Sequence, residues 1–331
     1  MPDECYCTVV ILNFNKRDLL RRSLDALRGV TALPYRVDVI VVDNGSTDGS
    51  PDVVREAFPS VRLVVNPHNL GSAQGRNTGL RLAKGEFVLF LDDSTTISPD
   101  QLDRLIQIAR AHPEAGMLTA MKVDSGGTPL YGYHVPSPST LGFAFFLVNE
   151  LSLIEIARAV KRLLRWGAPV PHETRDLVEI PYIGGGIMFC RSQALREVGP
   201  MDDRIFIYGE DFDWCYRFRR RGWKILYAPQ VHVLAGFGIN ATRAKRASLV
   251  ALHSRRYLFQ KYVGRRYLAF YAVIALVGLL PKLINYLVKG IRGRGAQDIS
   301  TWLWLRRAVL CIVGLEPPPG PPIATGRRHA S

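Results

Sequence analysis

The sequence predicts an α/β protein: a mostly parallel sheet flanked by helices, followed by a helical C-terminal region. Three observations predict it. Short apolar runs alternate with amphipathic stretches of helical period through the first third of the 331 residues. Polar and acidic residues gather where those runs end. The basic excess lies entirely at the C-terminal end.

The elements follow in order. Residues 7–13 (CTVVILN) form a β-branched run that reads as a buried strand. Residues 16–28 place Leu19, Leu20, Leu24 and Leu27 at helical spacing with charged residues between them. Residues 37–42 (VDVIVV) form a second strand that stops at Asp43-Asn44-Gly45-Ser46. Ser50-Pro51-Asp52 opens a helix, with Pro where its missing N–H costs nothing. Residues 61–65 give a third strand, 71–83 a helix with a glycine-rich start, 86–91 (EFVLFL) a fourth strand ending at Asp92-Asp93, and 100–111 a helix. Strands joined by helices imply right-handed crossovers, and ligands bind at the carboxyl ends of such strands.

The middle is less regular. Residues 124–140 read as a loop, 151–166 as a basic amphipathic helix, and 184–186 are three glycines before a short apolar run. Residues 208–224 begin acidic and become a basic helix; 225–233 read as a strand containing His232.

Composition narrows the function classes. With 47% hydrophobic and 22% charged residues the chain is not intrinsically disordered. The net charge of +14 divides sharply: residues 1–240 hold 27 basic and 27 acidic side chains, whereas 241–331 hold 16 basic and 2 acidic. That argues against a nucleic-acid-binding domain and for a neutral globular part with an anion-seeking tail. Five irregularly spaced cysteines read as plain thiols. The polar start reads as lacking a signal peptide, which places the protein in the cytoplasm. In the tail, Tyr267 to Leu280 is an apolar run followed by Pro281; Lys282 and Asn285 interrupt its continuation. Arg255, Arg256, Lys261, Arg265 and Arg266 precede it, and a second apolar patch spans 301–315. Basic residues beside an apolar helix fit the cytoplasmic face of an anionic membrane, in peripheral or weakly inserted form. Three parts follow: 1–240 catalytic, 241–316 helical and membrane-associated, and 317–331 disordered.

Several motifs carry chemistry. A carboxylate at a strand end, such as Asp43 or Asp92-Asp93, is costly unless it meets a cation or donor; metal ligation and simple helix capping both satisfy it. Gly71-Ser-Ala-Gln-Gly75-Arg76-Asn77 offers a helix start and a guanidinium to an anion, and is neither a dinucleotide fingerprint nor a P-loop. Glu210-Asp211 with Asp213 suits either a general base or an acidic helix start.

Together, Asn13-Phe14-Asn15, "VDNGSTDGS", "NLGSAQGRNTGL", Asp92-Asp93, "IGGGIMFCR" and "YGEDFDWCYRFRRRGW" resemble the family 2 glycosyltransferases, and within them the rhamnosyltransferase-like branch. The resemblance covers roughly residues 6–240. It implies the GT-A fold and transfer of a sugar, with inversion, from a nucleoside diphosphate donor, dTDP-rhamnose above all and a UDP-hexose as the alternative. A non-catalytic nucleotide- or glycan-binding relative is a further alternative. Asn13, Phe14, Asn15 and Asp43 would line the nucleoside pocket, with Gly71, Arg76 and Asp92 toward base and phosphates. Asp92, Asp93 and His232 would hold Mg²⁺ or Mn²⁺, although Ser94 stands where the family's second aspartate falls. Asp211 would be the base, its pKa raised by its neighbours. Gly184, Gly185, Gly186, Glu210 and Trp214 would face donor and acceptor sugars. Resemblance and tail together imply a lipid-linked glycan acceptor in cell-envelope biosynthesis, with no nucleic-acid partner.

Overall fold

The computed structural model describes residues 5–130, 176–235, 241–291 and 299–315. The expected helix at 151–166, the tail from 317 and part of the 124–140 loop lie outside these residues.

The order is β1 (Cys5–Asn13), α1 (Arg17–Ala26), β2 (Arg36–Asp43), α2 (Ser50–Ala57), β3 (Arg62–Val65), α3 (Gly71–Leu80), β4 (Phe87–Asp92), β5 (Thr95–Thr96), α4 (Pro99–Ala111) and β6 (Ala115–Val123). There follow β7 (Val178–Glu179), β8 (Ile187–Arg191), α5 (Ser192–Val198), α6 (Glu210–Arg220), β9 (Lys224–Ala235), α7 (Ala241–Tyr262), α8 (Leu268–Ile291) and α9 (Ile299–Val313). The sheet runs β3-β2-β1-β4-β8-β6-β9-β5, with β7 also on β9. β1 to β4 pair in parallel, β8 is antiparallel to both β4 and β6, and β9 is parallel to β6.

That reversal positions the site. Because β8 runs against its neighbours, the glycines before it arrive at the edge where β1, β2, β4 and β6 end, and Leu91 pairs with Ile187. The sequence reading left β6 unassigned and gave β8 no direction, since an apolar run alone does not reveal which way a strand points.

Both sheet faces are covered. Val9 and Ile11 pack with Leu20, Leu24, Val54, Leu102 and Leu105 on one face, while Val10 packs with Ala73, Trp214 and Phe218 on the other. This is the period-two alternation of a strand buried on both sides. α4 starts one residue earlier than expected, on Pro99. Ser98 caps it, accepting from the Gln101 N–H while the Gln101 side chain accepts from the Ser98 N–H. The described free cysteines, Cys7, Cys190, Cys215 and Cys311, are buried.

A separate core, with Leu252, Leu258, Phe259, Tyr271, Ala275, Ala308 and Ile312, ties α7, α8 and α9 together. α7 is fastened to α6 at Asp213, which accepts from Lys261 Nζ and Tyr262 Oη, each at 2.5 Å, and from Arg217 Nε at 2.8 Å. Lys261 also reaches Asp202 at 2.7 Å. Among the described residues, no helix is long and apolar enough to cross a membrane.

Candidate active site

The loops after β1 and β2 are bound into one wall. Asn13 Nδ2 donates to Asp43 Oδ2 at 2.8 Å and to Ser46 Oγ at 3.1 Å, and the Ser46 N–H donates to Asp43 Oδ1 at 2.8 Å. The Thr47 N–H donates to Asn15 Oδ1 at 2.8 Å. Asp43 is 0% exposed, with both oxygens committed to these loops. In this arrangement Asp43 organises the wall to which the nucleoside contact is expected.

The start of α3 is tied to the same wall. Asn44 Nδ2 donates to the Gly71 carbonyl at 2.9 Å, and Asn66 Nδ2 donates to Asn44 Oδ1 at 2.8 Å. Gly71 lies under the Phe206 carbonyl, where a Cβ would clash, so its place is set by close packing.

Deeper in, Arg76 is nearly fully buried and bridges the acid that ends β4 and the acid that begins α6. One guanidinium nitrogen donates to Asp92 Oδ1 at 2.6 Å and the other to Glu210 Oε1 at 3.1 Å. Burial works against the Arg76 charge, but Asp92 and Glu210 outweigh it and raise the guanidinium above its ordinary value. Burial also pushes the Asp92 carboxyl up; Arg76 and Lys122 overcome that and hold it below the usual carboxylate range. Asp93 turns the other way, to Lys16 Nζ at 2.8 Å and the Phe14 N–H at 3.4 Å, and burial outweighs Lys16 to push its carboxyl up to about 6.

Asp211 heads α6. Its Oδ2 accepts from the Gly185 N–H at 2.7 Å and Tyr182 Oη at 3.1 Å, and its Oδ1 accepts from the Phe212 N–H at 2.8 Å. Burial and Asp211 push the Tyr182 phenol well up, so it stays a donor. The carboxyl that is raised by burial and by its neighbour Asp211 is Glu210. A Cβ on Gly185 would stand 3.1 Å from Arg76 and 3.6 Å from Asp211 Oδ2. The two arms of the site thus meet over this glycine. Gly184 precedes it, and Gly186, with φ +114°, takes a conformation open to glycine.

One expected contributor, Trp214, is placed in the core. Trp214 is 0% exposed, donates from Nε1 to the Gly199 carbonyl at 2.9 Å, and packs edge-on against Phe90 and Phe218. It is a core residue with no face for a sugar, because α6 turns it inward, onto the sheet. His232 is exposed on β9. There it stands opposite Met121 of β6, one rung from Lys122. Among the described residues no three His, Cys, Asp or Glu side chains converge as a metal cage. The donor set instead fits a divalent cation held mostly by phosphate oxygens and water. Asp92 is 39% exposed on its side chain; Arg76 bonds its Oδ1, and its Oδ2 lies 3.6 Å from the Cβ point over Gly186. Residues the sequence reading passed over are Lys16, Tyr182 and Lys122. Lys16 directly follows Asn15 and Tyr182 closely precedes the glycines, so position alone could have flagged both.

Residues 8–172 match the family model for glycosyl transferase family 2. The chain belongs to this family. Family 2 relatives include an N-acetylglucosaminyl-diphospho-decaprenol L-rhamnosyltransferase of Mycobacterium tuberculosis, 28% identical over 76% of this chain and 82% of its own length. A pre-mycofactocin glycosyltransferase of the same organism is 32% identical over 69% of this chain and 42% of its own. Among solved structures, a mannosyltransferase from Pyrobaculum calidifontis in complex with GDP-Man and Mn²⁺ matches 95% of this chain and 87% of its own, with TM-score 0.52 and 17% identity. That likeness gives the fold, a GT-A-like mixed α/β sheet. The chain is a family 2 glycosyltransferase, similar to the rhamnosyltransferases.

Proposed function

We propose that the chain transfers rhamnose from dTDP-rhamnose, with inversion, to a lipid-linked glycan at the cytoplasmic face of an anionic membrane. The observation that carries the reading is the carboxylate of Asp211, fixed by Gly185 and Tyr182 one glycine away from the Arg76–Asp92 pair. An acceptor hydroxyl beside Asp211 loses its proton to that carboxylate while its oxygen bonds the anomeric carbon. The bond from that carbon to the diphosphate oxygen breaks, and the diphosphate leaves with the electron pair. The wall of Asn13 to Asn15 and Ser46 suits the nucleoside, and Arg76 stands toward the phosphates. Asp92 would hold Mg²⁺ or Mn²⁺, which supplies charge neutralisation to the departing diphosphate.

The rhamnosyltransferase relative, whose name specifies a diphospho-decaprenol acceptor, supports both sugar and acceptor class. The tail supports the membrane. Along α8, Phe270, Val273, Val277, Leu280 and Ile284 are exposed at a spacing of three and four residues. Arg265 and Arg266 are exposed just before α8, and Arg306 and Arg307 on α9.

The test is transfer to a polyprenyl diphosphate N-acetylglucosamine acceptor, with dTDP-rhamnose and UDP-hexoses compared side by side under Mg²⁺ and Mn²⁺. Consumption of a UDP-hexose with dTDP-rhamnose untouched overturns the donor. Asp211→Asn should lower turnover at least about 100-fold while dTDP still binds; unchanged turnover overturns the base.

A further inference from the structure

Lys122 is the second-last residue of β6, at the ligand edge of the sheet. Its Nζ donates to the Gly185 carbonyl at 2.6 Å. The same ammonium lies 2.7 Å from the point where a Cβ would stand on Gly186, and Asp92 Oδ2 lies 3.6 Å from that point. Arg76 and Asp211 border the adjoining point over Gly185. The glycine pair therefore sets Lys122 between the acid expected at the donor diphosphate and the acid expected at the acceptor.

The ammonium has donors to spare: it is half-buried, and its hydrogen bond among the described residues is the one to the Gly185 carbonyl, which uses one of its three N–H groups. Asp92 and Asp211 attract it electrostatically, and an anion that bonds it directly would offset more of the cost of drawing it from water. Asp92 shares its charge with Arg76, which bonds its Oδ1 at 2.6 Å. Ser94 removes a further negative charge from this edge.

We propose that Lys122 takes a phosphate oxygen of the donor's diphosphate and holds that leaving group as the glycosidic bond breaks. This rests on the glycosyl-transfer reading of the same site. As the acceptor oxygen bonds the anomeric carbon and gives its proton to Asp211, the electron pair of the broken bond stays on the diphosphate oxygen. Lys122 offers that oxygen a fixed positive charge and two spare N–H donors.

The experiment measures calorimetric binding of UDP and dTDP, and of uridine and thymidine, to the full chain in Mg²⁺, together with donor turnover. Three variants are compared with the wild type. Lys122→Met and Lys122→Gln should each weaken nucleoside diphosphate binding about tenfold and lower kcat by about 100-fold, leaving the nucleosides unaffected. Lys122→Arg should restore part of both. Lys122→Gln keeps a donor for the Gly185 carbonyl without the charge, so wild-type behaviour of that variant overturns the proposal. So does an equal loss of nucleoside and nucleoside diphosphate affinity, which marks a residue that only holds the glycine turn. A wild-type chain that binds no nucleoside diphosphate at all overturns the glycosyl-transfer reading itself, and is seen before any variant is compared.

Discussion

Replacing Asp213 by alanine should destabilise the protein by about 3 kcal/mol. The carboxylate is 0% exposed and accepts from Arg217, Lys261 and Tyr262. Removing one partner of a buried ion pair costs roughly 3–5 kcal/mol, because the remaining charge is stranded. Here the lower end applies. Lys261 keeps Asp202 at 2.7 Å, and Arg217 keeps the carbonyls of Val198 and Pro200 at 2.9 and 2.8 Å. Urea denaturation followed by circular dichroism gives the loss. Adding Lys261→Met to Asp213→Ala should recover part of it, with a coupling of about 1 kcal/mol or more, since the stranded ammonium is then gone. A loss below about 1 kcal/mol, or strict additivity of the two substitutions, would refute the idea that this cluster clamps α7 to α6.

Three further outcomes are expected. Gly79 packs so close to β1 that a Cβ would stand 2.3 Å from Val10 Cγ1, so Gly79→Ala should cost about 1–3 kcal/mol; a neutral result in the same denaturation assay would contradict that packing. Burial pushes the Asp202 carboxyl up, but its bonds to Arg204, Lys261 and Tyr257 prevail and hold it well below its ordinary value. Its contribution is therefore complete above about pH 4 and is lost as acid titrates the folded form, and Asp202→Asn should flatten the acid limb of a stability-against-pH curve. Superimposable acid limbs would count against it. Finally, Phe270→Glu with Val277→Glu should weaken binding to anionic vesicles about 100-fold, from two apolar side chains of roughly 1.5–3 kcal/mol each, and raising the salt should weaken the wild type as well. Unchanged flotation with the vesicles would remove α8 as the docking face.

Much of the fold is legible because the first four strands are apolar runs bounded by helices with clear stripes. The period of Leu20 and Leu24 and the run from Phe87 to Leu91 leave little choice of element. The direction of β8 is not legible, because it follows from pairing with β4 and β6 rather than from any local pattern. The acidic and glycine-rich motifs do point to the site, where Arg76, Asp92, Gly185 and Asp211 come together. Their individual roles are less legible. Asp43 and Trp214 stand within motifs yet are sealed by packing that no spacing reveals. Lys122 escapes notice for the converse reason: it is one lysine on a strand without a motif, and only the reversed strand beside it carries Gly185 within reach.

The reversed strand has one more consequence. The chain leaves the sheet after β6, with the Leu130 N–H returning to the Lys122 carbonyl at 3.0 Å, and rejoins it at Val178, which pairs with Tyr227 on β9. Departure and return are thus secured on neighbouring strands. The ladder that joins β6 to β9, from Ala115 opposite Lys224 to Val123 opposite Leu234, therefore closes without drawing on any residue between 130 and 178.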